Sequence, residues 1–221
     1  MDCLRNYDIK DTRITELSRA YRIQLGTGWY TPAGVIHAPA SLVTYEPQWN
    51  SDVNTIMENV TMGEVNAHHM LTDCAPEEEK DDLEAIFAQI DWEESTRPDY
   101  KETYFRPPVV KSEDCAAVEK WVAYANEWIA AKEVTVKPGQ TYTLTDQACY
   151  CALVSQGHGT FGSFECEAPE LLRYEDLSGD EFFVSEAAAK KGIVIKNTSS
   201  YEPLVILQNF ANNNPEVPAE K

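Results

Sequence analysis

Seven short segments between Glu133 and Phe210 constrain the fold most: EVTVKPGQ, TYTLTD, ACYCALVSQG, GTFGSFECE, DEFFV, GIVIKN and PLVILQNF. They are rich in β-branched and aromatic residues and are separated by turn-forming residues. A series of this kind buries its apolar faces in a closed or double-sheet all-β unit. Upstream the period lengthens. Pro76-Glu77-Glu78-Glu79 opens a predicted helix whose stripe is Leu83, Ile86, Phe87 and Ile90. Val118, Trp121, Val122, Ala125, Trp128 and Ile129 predict a second helix beginning at Ser112, and residues 93–110 read as an irregular connection. Residues 61–131 therefore read as a helical insert, 132–212 as the β unit, and 213–221 as a flexible tail.

The stretch from Gly26 to Trp49, GTGWYTPAGVIHAPASLVTYEPQW, carries the sharpest local pattern. Gly26, Pro32, Gly34 and His37 stand at the spacing G-x5-P-x-G-x2-H. A Pro-x-Gly turn fixes one φ and frees another. A strand from Val35 then aims His37 to one face, where a neutral imidazole can ligate a metal. A hydrogen-bonded strand histidine satisfies the same pattern. Trp29, Tyr30 and Trp49 are placed to shape a pocket, with Glu46 beside them, and SLVTYEP has strand character. Ser51 or Asp52 is expected to cap a short helix through Val53, Ile56 and Met57. The segment ITELSRAYRI is a short amphipathic candidate. His68 and His69 are adjacent, so they point apart and do not chelate one ion together.

At 221 residues the chain suits one or two domains. Its formal net charge of -19 excludes a nucleic-acid partner, whose phosphates demand a basic face, and disfavours an anionic membrane surface. No apolar run has the length of a bilayer span, and the N-terminus is too polar for a signal peptide. The six cysteines lack zinc-finger spacing. A reducing, cytoplasmic setting is expected, so the glycosylation patterns at Asn59 and Asn197 carry little weight. Nucleophile-elbow, P-loop and dinucleotide-binding motifs are absent from the sequence.

The Gly26–His37 pattern matches the second signature of the cupin barrel, with Ser41 where that family usually carries asparagine. Together with the later β unit it resembles a bicupin: a mainly β chain of two cupin-type jelly-roll barrels, the first incomplete (residues 1–60), with a helical insert between them. GWYTPAGVIHAP and TYEPQW are similar to bacterial sugar-phosphate-isomerase-like cupins. The resemblance implies a divalent transition metal (Fe, Mn, Zn or Ni) with His37 among its ligands. It also implies a small-molecule ligand, a sugar derivative or carboxylate, with Trp29, Tyr30, Glu46 and Trp49 lining its pocket, and isomerase or dioxygenase activity without assigned catalytic residues.

Two departures bear on this expectation. Residues 1–25 hold no His-x-His motif, so the chain starts late, or is half a barrel, and the metal is absent or its site is completed by another chain. In the second barrel the first motif's histidine places fall near Thr145 and Gln147, Tyr150 replaces glutamate, and Ile195 replaces the second-motif histidine. A non-catalytic binding or dimerisation module is the alternative reading. An open barrel leaves unpaired strand edges, and a homodimer is the expected way to cover them.

Overall fold

A computed structural model describes residues 1–49, 54–172, 174–211 and 213–219. The cap expected at Ser51 or Asp52 lies outside these residues. The chain forms two compact units. The first takes in residues 1–23, 31–45 and 54–104 of those described; the second takes in 24–30, 46–49 and the chain from 105 onward. No helix among the described residues is long and apolar enough to cross a membrane.

The first unit is built from short helices and turns. Leu4 and Tyr7 pack with Leu71, Ala75 and Ile86 in a small core. Asn59 ties the segment 7–12 to it: its amide donates to the Tyr7 carbonyl at 2.6 Å and the Lys10 carbonyl at 2.8 Å, and its Oδ1 accepts from the Thr12 amide at 3.1 Å. This buried amide is therefore a structural hub, closed to glycosylation. Asn197 is likewise buried, donating to Val136 and Glu202 carbonyls at 3.0 and 2.8 Å. The helix expected after Pro76 starts later, at Leu83–Ala88, because Asp82 Oδ1 caps it by accepting from the Glu84 amide at 2.9 Å. Residues 93–110 are less irregular than expected, with helices at Trp92–Thr96 and Tyr100–Tyr104.

The second unit is an antiparallel sheet of nine strands, and with it the mainly β expectation holds. The strands are β1 (Val109–Glu113), β2 (Ala117–Ala123), β3 (Ile129–Val136), β4 (Thr141–Leu144), β5 (Tyr150–Phe161), β6 (Phe164–Ala168), β7 (Glu181–Val184), β8 (Ile193–Asn197) and β9 (Leu204–Ala211). Their order is β1-β2-β3-β9-β5-β8-β4, with β6 and β7 also on β5. The long strand β5 serves two half-sheets. Its first half pairs with β9 and β7, its second half with β8 and β6. Gly157 marks the change. It has φ +83°, and a Cβ there would collide with the Pro203 carbonyl oxygen, so β5 bends where only glycine fits. The two halves curl over one apolar core holding Trp121, Val134, Leu144, Phe161, Ile195, Ile206 and Phe210, in the manner of a jelly roll.

The sheet begins much earlier than expected, which corrects the second predicted helix. Residues 117–123 and 129–136 are strands β2 and β3. The apolar spacing of Val118, Trp121 and Val122 fits a helix, but the buried positions are Ala117, Glu119 and Trp121, a period of two. Ala125 sits at φ +53°, and Asn126 Oδ1 accepts from the Trp128 and Ile129 amides at 2.9 Å each, making a turn. In residues 1–60 the strands among the described residues are two dipeptides, Gly28–Trp29 and Val60–Thr61, and neither SLVTYEP nor the segment from Val35 is a strand. Within residues 213–219 Asn214 is buried and Val217 packs against the core.

Ile195 is fully buried, whereas its neighbour Val194 is 49% exposed. Ile195→Ala is expected to cost about 2–5 kcal/mol in urea denaturation, as a large-to-small core change does. Val194→Ala should stay within about 0.5 kcal/mol. Equal losses from the two would contradict the assigned inner face of β8.

Candidate functional site

The residues singled out by sequence fall in different places. Pro32 and Gly34 form the expected turn, with the Val35 amide donating to the Pro32 carbonyl at 3.3 Å and Gly34 at φ +80°. His37 follows on irregular backbone in the first unit and is exposed, with Nδ1 3.0 Å from the Val35 carbonyl. Trp29 and Tyr30 belong to the second unit. Trp29 meets Phe105 edge-on at 5.3 Å, and the Arg106 guanidinium lies over Tyr30 at 5.8 Å. Trp49 packs on Trp128 at 5.7 Å, and Glu46 is exposed. Among the described residues no three histidine, cysteine, aspartate or glutamate side chains are grouped to hold a metal ion. His37 with its described surroundings does not fit the implied metal.

A different group, inside the second unit, has the makings of a site. On β3 the inward phase of Ala130, Val134 and Val136 includes Lys132, which is 0% exposed. On β9 the phase of Ile206 and Phe210 includes Gln208, and on β2 that of Ala117 and Trp121 includes Glu119. Register sets them side by side: Trp121 is opposite Lys132, and Lys132 opposite Gln208. Asp146, in the turn between β4 and β5, completes the group from the other half-sheet's side.

The contacts are dense. Lys132 Nζ donates to Glu119 Oε2 at 2.6 Å and lies 2.8 Å from Asp146 Oδ1. It also lies over the Trp121 ring at 5.4 Å. Gln208 Nε2 and Asn214 Nδ2 donate to Asp146 at 2.9 and 3.2 Å. Tyr142 Oη donates to Glu119 Oε1, with Ser112 Oγ 3.2 Å from that hydroxyl. A second cation, Lys111 on β1, lies 3.7 Å from both Glu119 and Asp146 and 2.7 Å from Glu216. Two buried atoms beside these charges, Tyr150 Oη and Gln208 Oε1, have no partner of good hydrogen-bond geometry among the described residues, although the Gln208 side chain is near enough to the Tyr150 hydroxyl to favour its ionised form.

Electrostatics fix the protonation pattern. Burial alone would raise the Glu119 carboxyl, but the Lys132 ammonium, the Tyr142 hydroxyl and Lys111 outweigh it and hold the pKa below its ordinary 4.5. Burial alone would lower Lys111, and Glu216, Glu119 and Asp146 reverse this and raise it. Burial and the Glu119 carboxylate push Tyr142 up to about 12. Burial and then Asp146 raise Tyr150 as well, so at neutral pH its hydroxyl is a donor. The arrangement can thus present a cation, a neutral hydroxyl donor and an amide acceptor to a small polar molecule.

This cluster escaped the sequence reading. The available signal was a polar residue in the inward phase of a strand, at Lys132 and Gln208. Asp146 stands between Thr145 and Gln147, near which the resemblance places the first motif's histidines.

No protein-family model and no curated protein matches the chain. Among solved structures it is similar to an RmlC-like cupin from Shewanella frigidimarina, at 13% identity and TM-score 0.32 over 48% of this chain and 84% of that one. It is also similar to a cupin-2 domain from Rhodospirillum rubrum, at 11% identity and TM-score 0.34 over 52% and 74% of the two chains. A third match, the Rhodobacter sphaeroides SigE complex with the anti-sigma ChrR, has 11% identity and TM-score 0.34 over 45% of this chain, and spans only 46% of that one.

The pKa shifts predict a stability plateau with two edges. Glu119 is depressed in the folded chain, so its contribution is present above about pH 4.5 and lost as pH falls through the lower folded value. Lys111 and Tyr150 are raised, so theirs is full below their ordinary values of 10.5 and 10.0 and declines above them. The melting temperature should hold from about pH 6 to 9 and fall on both sides. In Glu119→Gln the acid fall should be shallower; an unchanged acid limb would show that Glu119 is not ionised inside the sheet.

Proposed function

We propose that the second unit binds a small hydroxylated ligand, of the sugar-derivative class, at the Lys132–Glu119–Asp146 cluster. The observation that carries this reading is a pair of buried atoms, Tyr150 Oη and Gln208 Oε1, without a partner of good hydrogen-bond geometry among the described residues. A buried polar atom without a partner costs about 1–3 kcal/mol, which a ligand restores by satisfying it. One ligand hydroxyl serves both: its O–H donates to Gln208 Oε1, and its oxygen accepts from the Tyr150 hydroxyl. The charged groups around them are already oriented by mutual contacts, so binding costs them little ordering. The resemblance of GWYTPAGVIHAP to sugar-phosphate-isomerase-like cupins points to the same ligand class.

Titration with sorbitol, glucose and gluconate, followed by NMR of the tyrosine rings and glutamine side-chain amides, tests the site. Tyr150 and Gln208 signals should shift in saturable fashion for at least one of these probes. Tyr150→Phe removes only the hydroxyl and should weaken that binding about 3- to 10-fold. Binding that leaves both residues' signals unmoved, binding that is as tight in Tyr150→Phe, or no binding of any probe would overturn the reading.

A further inference from the structure

The outward side of the cluster is closed by the chain itself. Residues 213–219 add no strand to the sheet; they lie along it as a strap. Asn214 reaches Asp146, Val217 packs against the core, and the Pro218 carbonyl accepts from the Ala125 amide at 3.2 Å. Between them Glu216 places Oε2 2.7 Å from Lys111 Nζ. The side chain of Glu216 is 37% exposed and that of Lys111 22%, so this ion pair is the point where the buried cluster meets solvent. A depression of about 480 Å³ is lined by Ala125, Asn126, Glu127 and strap residues including Asn214 and Val217.

Lys111 is also the cation with a partner to spare. Glu119 and Asp146 are committed to Lys132 at 2.6 and 2.8 Å and stand 3.7 Å from Lys111. Among the described residues Glu216 is the carboxylate nearest Lys111, whose Nζ also donates to the Thr145 carbonyl at 3.3 Å. We propose that Glu216 occupies the place of a ligand's carboxylate: a small hydroxy acid takes Glu216's position on Lys111, its hydroxyl meets Tyr150 and Gln208, and the strap moves aside as it enters. The exchange conserves charge. Lys111 and Lys132 face three carboxylates with Glu216 in place, and they face three again when the acid replaces it. A neutral polyol cannot make that replacement. The strap thereby sets both the ligand class and the affinity, because every acid must displace an internal competitor.

This inference rests on the ligand site proposed above, and one experiment separates the two. Dissociation constants for gluconate and sorbitol are measured by calorimetry and by the Tyr150 NMR signal in the wild type, Glu216→Gln, Glu216→Ala and Glu216→Gln/Lys111→Met. With the internal carboxylate gone, gluconate should bind about tenfold tighter in both single variants, with sorbitol unchanged; Lys111→Met should abolish that gain. Circular dichroism checks that each variant is folded. Gluconate binding at Tyr150 that ignores Glu216 and Lys111 overturns the exchange and leaves the ligand site standing. Absence of binding by either probe in every folded variant overturns both.

Discussion

The second unit depends on a single ammonium group, Lys132 Nζ, held in the interior between Glu119 and Asp146. Taking such a charge out of water costs several kcal/mol, and only well-placed counter-charges offset it. Here they come from separate parts of the chain: Glu119 from the neighbouring strand β2, Asp146 from the turn between β4 and β5. A one-residue slip of β3 would turn Lys132 outward and strand both carboxylates in apolar surroundings. The same slip would carry Val134 and Val136 out of the core. Charge and packing therefore specify one register, and Asp146 extends that specification to the turn leading into the strand shared by both half-sheets.

Much of this architecture was legible in the sequence, for a definite reason. The segments from Glu133 onward alternate in burial with period two, and turn residues separate them, so their strand character follows from local composition. The region 112–131 was not legible because its apolar residues satisfy both periods. Val118, Trp121, Val122 and Ala125 form a helical stripe on paper, and the decision falls to Asn126, whose side chain caps a turn, and to Ala125 in the left-handed region. The Gly26–His37 pattern shows the opposite case. Its turn formed as read, with Gly34 at positive φ, yet the strand beyond it did not, because nothing in the motif supplies a pairing partner.

The cluster was illegible for another reason. Sequence reading treats a lysine or glutamine in a strand as outward by default, since such residues are rarely buried. Lys132 and Gln208 reverse that default only because their partners arrive from distant positions. Glu119 lies 13 residues before Lys132, and Asp146 lies 62 before Gln208. Such pairings depend on sheet order, which local patterns do not encode.

A purely structural ion lock would satisfy its own polar atoms and leave none over. This one does so for Glu119, Asp146 and Lys132, and fails to do so for Tyr150 Oη and Gln208 Oε1 in the same neighbourhood. The failure is costly, and apolar replacements at those two positions would avoid it, since a phenylalanine ring fills the Tyr150 site without a buried hydroxyl. The contrast divides the cluster into two functions. The lysine and its carboxylates hold the sheet in register, and the tyrosine and glutamine are the groups to which the proposed ligand is assigned. Stability supplied by the first group offsets the cost of the second group's unsatisfied atoms.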